Sequence, residues 1–193
     1  MVLTLDLNKR YTYADYLNWA DNVRRELIEG FIKLFPAPRV AHAKVSFNIT
    51  WHLGAILKKN KGKCEVFYAP FDVRFPKNGE TENDKIYTVV QPDICVVCDL
   101  SKLDDAGCCG APDMIVEIFS PSTGKRDTHE KFMLYEGAGV KEYWIVYPKD
   151  KAVNVFILQD DGKYNDGHVY EDDGKIPIHI FDGYSMEWKD IFP

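Results

Sequence analysis

Apolar positions along the chain follow two periods, and the periods separate helices from strands. Between residues 40 and about 59, His42, Val45, Ile49, His52, Leu53 and Ile56 recur at spacings of three and four. That stripe predicts a long helix with one face toward the core. Upstream, residues 13 to about 19 predict a short helix, and RELIEGFIKLF alternates as a single strand, with Glu26 sharing a face with Ile28, Ile32 and Leu34. Residues 64–68 and 71–75 read as short strands. KNGETENDK, residues 77–85, is too polar to pack and predicts an exposed hairpin tip or loop. QPDICVVCD and PDMIVEIFS are short, rich in β-branched residues and bounded by turn signals, as central strands are. SPST then offers a proline and hydroxyl caps for a helix over about 124–138, ended by Gly137 and Gly139. KEYWIVYP and AVNVFIL return to strand, and the remainder reads as hairpins.

This order predicts an α/β (α+β) architecture, a mixed sheet flanked by helices with additional hairpins, and not a doubly wound one. No repeat or linker divides the chain, so one domain is expected over 1–193, with 1–10 as an N-terminal arm and 150–193 as an acidic, β-rich C-terminal part. At 193 residues, 46% hydrophobic and 13% aromatic, the chain has material for a core, which excludes disorder and a disulfide-stapled mini-protein. No apolar run approaches the ~18 residues of a membrane helix, and MVLTLDLNKR has no basic segment leading into an apolar stretch. A cytoplasmic protein with no membrane partner is expected.

The formal charge of −6 argues at first against nucleic acid. Its distribution removes the objection. Residues 150–193 hold 10 acidic and 4 basic side chains, whereas residues 1–149 are balanced at 20 of each.

The chain has no GxGxxG or GxxxxGK[ST] loop, which leaves a nucleotide cofactor unsupported, and no GxSxG or HExxH motif. What it has is carboxylates in strands that otherwise look buried. Asp93 opens the run ICVV, and Glu117 interrupts MIV and IF. A buried carboxylate without a partner costs several kcal/mol, so Glu117 must meet a cation, a donor or a metal, or keep its proton. Two such groups on adjacent strands would suit Mg²⁺ or Mn²⁺; a turn-capping Asp93 and an ion-paired Glu117 are the structural alternative. Asp127, Lys131 and Tyr135 follow at four-residue spacing, on one helix face.

The succession RELIEG, a histidine opening a long helix, QPD, PDMIVEIFSPST, a D-x-x-x-K-x-x-x-Y helix and GVKEYWIVYP resembles the Uma family of bacterial proteins with a restriction-endonuclease-like fold. The resemblance runs over roughly residues 11–185. It implies membership of the PD-(D/E)xK nuclease superfamily and a metal-dependent endonuclease acting on DNA, with Asp93 and Glu117 binding Mg²⁺ or Mn²⁺ together with the backbone carbonyl of Ile118. The superfamily's lysine, two residues after the second carboxylate, would fall on Phe119; the resemblance instead implies that Lys131 supplies the cation. It also implies that Glu26 adds a third metal-facing group, with His42 and Asp127 as accessory residues, and that the protein is a homodimer.

Lys125 and Arg126 precede Lys131 near a helix N-terminus and are candidates for phosphate contact. Cys95-x-x-Cys98 and Cys108-Cys109 have a superficial zinc-ligand spacing, but positions i and i+3 of a strand point to opposite faces. The five cysteines are expected to be reduced thiols, buried or in loops. Tyr143 and Trp144 are expected in the core. The rival to a nuclease is a catalytically weak binding or assembly module that retains the fold, and Phe119 is its support.

Overall fold

The structure, a computed structural model, describes residues 5–21, 23–34, 39–60, 63–119, 124–172 and 174–192, and their side chains except those of 60 and 124–128. In chain order the elements are α1 (Tyr13–Leu17), β1 (Arg25–Ile28), β2 (Phe31–Leu34), α2 (Val40–Asn60), β3 (Glu65–Tyr68), β4 (Val73–Arg74), β5 (Val89–Val90), β6 (Ile94–Val97), β7 (Leu103–Asp104), β8 (Gly107–Cys109), β9 (Met114–Ile118), α3 (Gly124–Ala138), β10 (Glu142–Tyr147), β11 (Ala152–Ile157), β12 (His168–Tyr170), β13 (Lys175–Pro177), β14 (Ser185–Glu187) and α4 (Trp188–Ile191).

Two six-stranded mixed sheets result, ordered β2-β1-β5-β4-β8-β7 and β12-β11-β10-β9-β6-β3, with β13 and β14 forming a small third. In the second sheet β9 and β10 are parallel and joined through α3, whereas β6 and β9 are antiparallel. The alternation of side chains divides this sheet's two faces. Ile94, Val96, Met114, Val116, Ile118, Trp144 and Val146 pack with Val45, Ile49, Leu53 and Leu57 of α2. Cys95, Val97, Ile115, Tyr143 and Ile145 face the other way, onto Val73, Phe75 and Val90 of the first sheet and Tyr135 of α3. Because both faces are covered, the central strands read as continuous apolar runs. The acidic C-terminal part also contributes to packing, since Ile176, Ile178, Phe181, Met186 and Ile191 complete the core on the α2 side.

Two expectations are corrected. RELIEGFIKLF is not one strand but the hairpin β1–β2, turned at Glu29 and Gly30, both in the left-handed region at φ 54° and 87°. The turn changes which residues share a face. Ile32 lies opposite Leu27 and Glu26 opposite Lys33, so Glu26 keeps Ile28 on its face but not Ile32, and Leu34 is exposed. The cysteines are not all thiols either: Cys64 and Cys98 form a disulfide, leaving Cys95, Cys108 and Cys109 free. The two bridged residues directly flank the paired ends Glu65 and Val97 of β3 and β6, a proximity that sequence spacing conceals. Cys95 and Cys98 do lie in different cores, on opposite faces of the sheet. The loop 77–85 is exposed throughout, and no helix among the described residues is long and apolar enough to cross a membrane.

Gly107 illustrates how tightly the first sheet is drawn together. Its φ is 126°, and a Cβ there would run into the carbonyl oxygen of Asp72, the residue whose oxygen accepts the Cys108 amide. Gly107→Ala should therefore lower the unfolding free energy by about 2–4 kcal/mol, read as a fall in the urea midpoint at unchanged slope.

Candidate active site

Glu117 lies between two residues that belong to the α2 core, so strand alternation turns it to the opposite face, beneath α3. Lys131 and Tyr135, one helical turn apart, both reach it: Lys131 Nζ donates to Glu117 Oε1 at 2.8 Å and the Tyr135 hydroxyl to the same oxygen at 2.6 Å. Lys131 Nζ also donates to Glu26 Oε1 at 3.0 Å, so one buried ammonium joins a carboxylate of each sheet. The backbone N–H of Gln91 donates to Glu26 Oε1 at 2.7 Å. Glu26 is 1% exposed, and its second oxygen, Oε2, is buried with no hydrogen-bond partner among the described residues.

Asp93, at the start of β6, forms the neighbouring group. Its Oδ2 accepts the Ile118 amide at 2.8 Å and lies 3.1 Å from Nε2 of His42, in the first turn of α2. Gln91, two residues earlier, is the joint between the elements. Its side-chain amide donates to Asp72 Oδ1 at 2.8 Å and to the Tyr16 hydroxyl at 3.1 Å, while Arg24 donates to its side-chain and main-chain oxygens at 2.9 and 3.0 Å.

Burial pushes the Glu117 carboxyl up to about 7; Lys131 pulls against this, and the charges of Asp93 and Glu26 add to it. Burial likewise disfavours the Lys131 ammonium, but Glu117 and then Glu26 outweigh it and hold the group above its ordinary value. Tyr135 is driven well above a free phenol by burial and by Glu117. It is therefore a donor throughout the neutral range.

Among the candidates from the sequence, the structure brings Glu26, Glu117 and Lys131 into direct contact, and Asp93 into contact with His42 and with the Ile118 amide. Phe119 packs on Tyr147, with ring centroids 5.2 Å apart, in the position where a lysine would share the strand face of Glu117. The side chains of Lys125, Arg126 and Asp127 lie outside the described residues, although α3 begins at Gly124. Two contributors were not assigned a role from sequence: Gln91, visible only as part of QPD, and Tyr135, whose four-residue offset from Lys131 was the available signal.

Carboxylate oxygens are the donors that a hard divalent cation prefers, and the unpartnered Glu26 Oε2 is a vacant acceptor of that kind. In the present arrangement the Lys131 ammonium does the bridging. Among the described residues no group of three or more His, Cys, Asp or Glu side chains is drawn together as a metal cluster.

The raised Glu117 sets a sign for stability against pH. The folded state keeps this proton after the unfolded chain, with an ordinary carboxylate, has lost it, so its contribution is complete below about pH 4.5 and is lost as pH rises toward about 7. Urea unfolding of wild type and Glu117→Gln across that window should show wild type losing stability relative to the variant; a constant difference would contradict the shift.

The family model Uma2, described as "Putative restriction endonuclease", matches residues 13–188. An uncharacterized protein from Synechocystis sp. (strain ATCC 27184 / PCC 6803 / Kazusa) is 25% identical over 157 residues, covering 78% of this chain and 75% of that protein. Among solved structures, one described as "a putative nuclease belonging to DUF820", from Anabaena variabilis ATCC 29413, matches with a TM-score of 0.74 at 20% identity. The match covers 94% of this chain and 97% of that one, a likeness of fold. The family match spans β1, β6, β9 and α3, the elements that carry Glu26, Glu117 and Lys131 and follow Asp93, and by it this chain belongs to the Uma2 family.

Proposed function

We propose that the protein is a metal-dependent endonuclease that hydrolyses DNA phosphodiester bonds. The observation that carries the reading is the convergence of Glu26 and Glu117 on one buried ammonium beside Asp93, with a carboxylate oxygen of Glu26 left without a partner among the described residues. Structural ion pairs are usually satisfied on both sides; an excess of buried carboxylates is what a site for a hard divalent cation requires, and the cation in turn offsets the charge of a phosphate. Membership of the Uma2 family supports the same reading.

Asp93, Glu117 and Glu26, with the Ile118 carbonyl, would hold Mg²⁺ or Mn²⁺, which when bound supplies positive charge at the scissile phosphate. The other roles fall to the chain itself. Lys131 places its ammonium where charge develops on the phosphoryl oxygens. Tyr135 fixes Glu117 by its Oε1, and His42 holds Asp93 by its Oδ2. Lys125 and Arg126, in the first turn of α3, would contact the DNA backbone, and Asp127 would support the Lys131 face. The reading carries with it a cytoplasmic protein acting as a homodimer.

Phe119 favours a second reading, a binding or assembly module that keeps the fold. Plasmid DNA incubated with the purified protein and Mg²⁺ or Mn²⁺ separates them. Cleavage is expected, abolished by chelator and reduced at least about 10²-fold in Asp93→Asn and Glu117→Gln, the scale on which loss of one transition-state contact is felt. Undiminished cleavage by either variant would overturn the site, and DNA bound but left intact would select the module.

A further inference from the structure

Asp93 belongs to two places at once. On one side it meets the Ile118 amide; on the other it lines a pocket of about 520 Å³ between α2 and the end of β3. Along α2 the wall is made by His42, Phe47, Thr50 and Trp51, and opposite them stand Tyr68 and Ala69, whose amide donates to the Asp93 carbonyl. From His42 to Trp51 the helix advances about 13 Å, at ~1.5 Å per residue. The pocket is thus a groove that begins at a carboxylate of the candidate site and runs away from it.

Its surface is aromatic and open to solvent: Phe47 is 68% exposed, Trp51 59% and Tyr68 64%. Among the described residues neither Phe47 nor Tyr68 stacks on another ring, and Trp51 meets only the edge of His52, at 4.7 Å between centroids. Among the described residues Arg24 is the single permanently cationic one of the lining, at the same end as Asp93 and His42. A duplex backbone needs a series of cations, and this groove does not provide it. An occupant that is flat and neutral along the aromatics, and carries its negative charge at the Arg24 end, fits both halves of the lining. Unpaired nucleobases leading to a phosphate have that form.

We infer that this groove receives unpaired bases next to the bond to be cut, so that the substrate is a nucleic acid with a single-stranded segment in preference to uninterrupted duplex. The inference rests on the nuclease reading above and names the substrate class of that site.

Fluorescence anisotropy with the full chain in chelator, where nothing is cut, tests it using three end-labelled probes: a single-stranded oligonucleotide, its duplex, and an abasic strand of the same length. The ordinary single strand should bind roughly tenfold more tightly than either of the others, the scale of losing one base–aromatic stack. Phe47→Ser and Trp51→Ser, both at exposed positions, should each remove most of that advantage while leaving abasic binding unchanged. Equal affinity for ordinary and abasic strands, or variants that bind as wild type does, would overturn the groove assignment. So would sedimentation showing that wild type associates through this face and the variants do not, which would make it an interface between copies. Cleavage of the same single-stranded probe with Mg²⁺ reports separately: cutting without base-dependent binding leaves the nuclease standing and removes the groove, and base-dependent binding without cutting removes the nuclease reading and leaves only a site for unpaired bases.

Discussion

The interaction on which the rest depends is the buried ammonium of Lys131 between Glu117 and Glu26. Either carboxylate alone in this interior would cost several kcal/mol, and removing one member of such a cluster generally costs about 3–5 kcal/mol because the remaining charge is stranded. Here one cation serves two anions contributed by different sheets. The ion cluster is therefore also the point at which β1, β9 and α3 are registered against one another. A displacement of α3 by one residue would swing Lys131 about 100° round the helix and strand both carboxylates.

Neutralisation is incomplete in a physical sense that can be read from the groups themselves. Among the described residues Lys131 carries one positive charge against Glu26, Glu117 and the nearby Asp93; burial first, and then the charges of Asp93 and Glu26, hold the Glu117 carboxyl near 7 against the pull of Lys131. Glu26 Oε2 has no donor although Oε1 has two. An arrangement selected only for stability would replace such a cluster with apolar packing at no loss. The nuclease reading proposed above gives such a cluster a use, and Gln91, braced by Arg24, Tyr16 and Asp72, donates its backbone N–H to Glu26 and helps keep it in place.

Much of this is legible in the sequence, and the reasons are specific. A carboxylate in the middle of MIVEIF cannot be solvated if its neighbours are core, so Glu117 requires a partner; the four-residue offset of Lys131 and Tyr135 supplies two groups on one helix face, and both reach it. The α2 stripe is equally plain, since period and length agree. What escapes is information that no local pattern holds. RELIEGFIKLF keeps its alternation through a two-residue turn, so the periodicity cannot reveal that the chain has reversed. The Cys64–Cys98 bridge depends on the antiparallel register of β3 with β6, set by residues 34 positions apart. The aromatic groove is hidden because Phe47 and Trp51 lie off the buried stripe of α2, where an exposed aromatic carries no signal until Tyr68 is brought opposite.

Phe119 then takes on a different meaning. When the cation is carried two residues after the acidic one on the same strand, carboxylate and ammonium are fixed by a single backbone and need nothing else to be aligned. In this chain that position is filled by a ring packed on Tyr147, and the ammonium arrives from a helix. The alignment of the pair therefore depends on how α3 docks. That docking rests on Tyr135, which is fully buried against Phe75 and Tyr143, and on Glu136, which accepts the Tyr164 amide. Aromatic packing around the second half of α3 thus holds the ammonium at its midpoint. On the nuclease reading proposed above, a phenylalanine at this position is compatible with a working site, because an ammonium still reaches Glu117 Oε1, from α3.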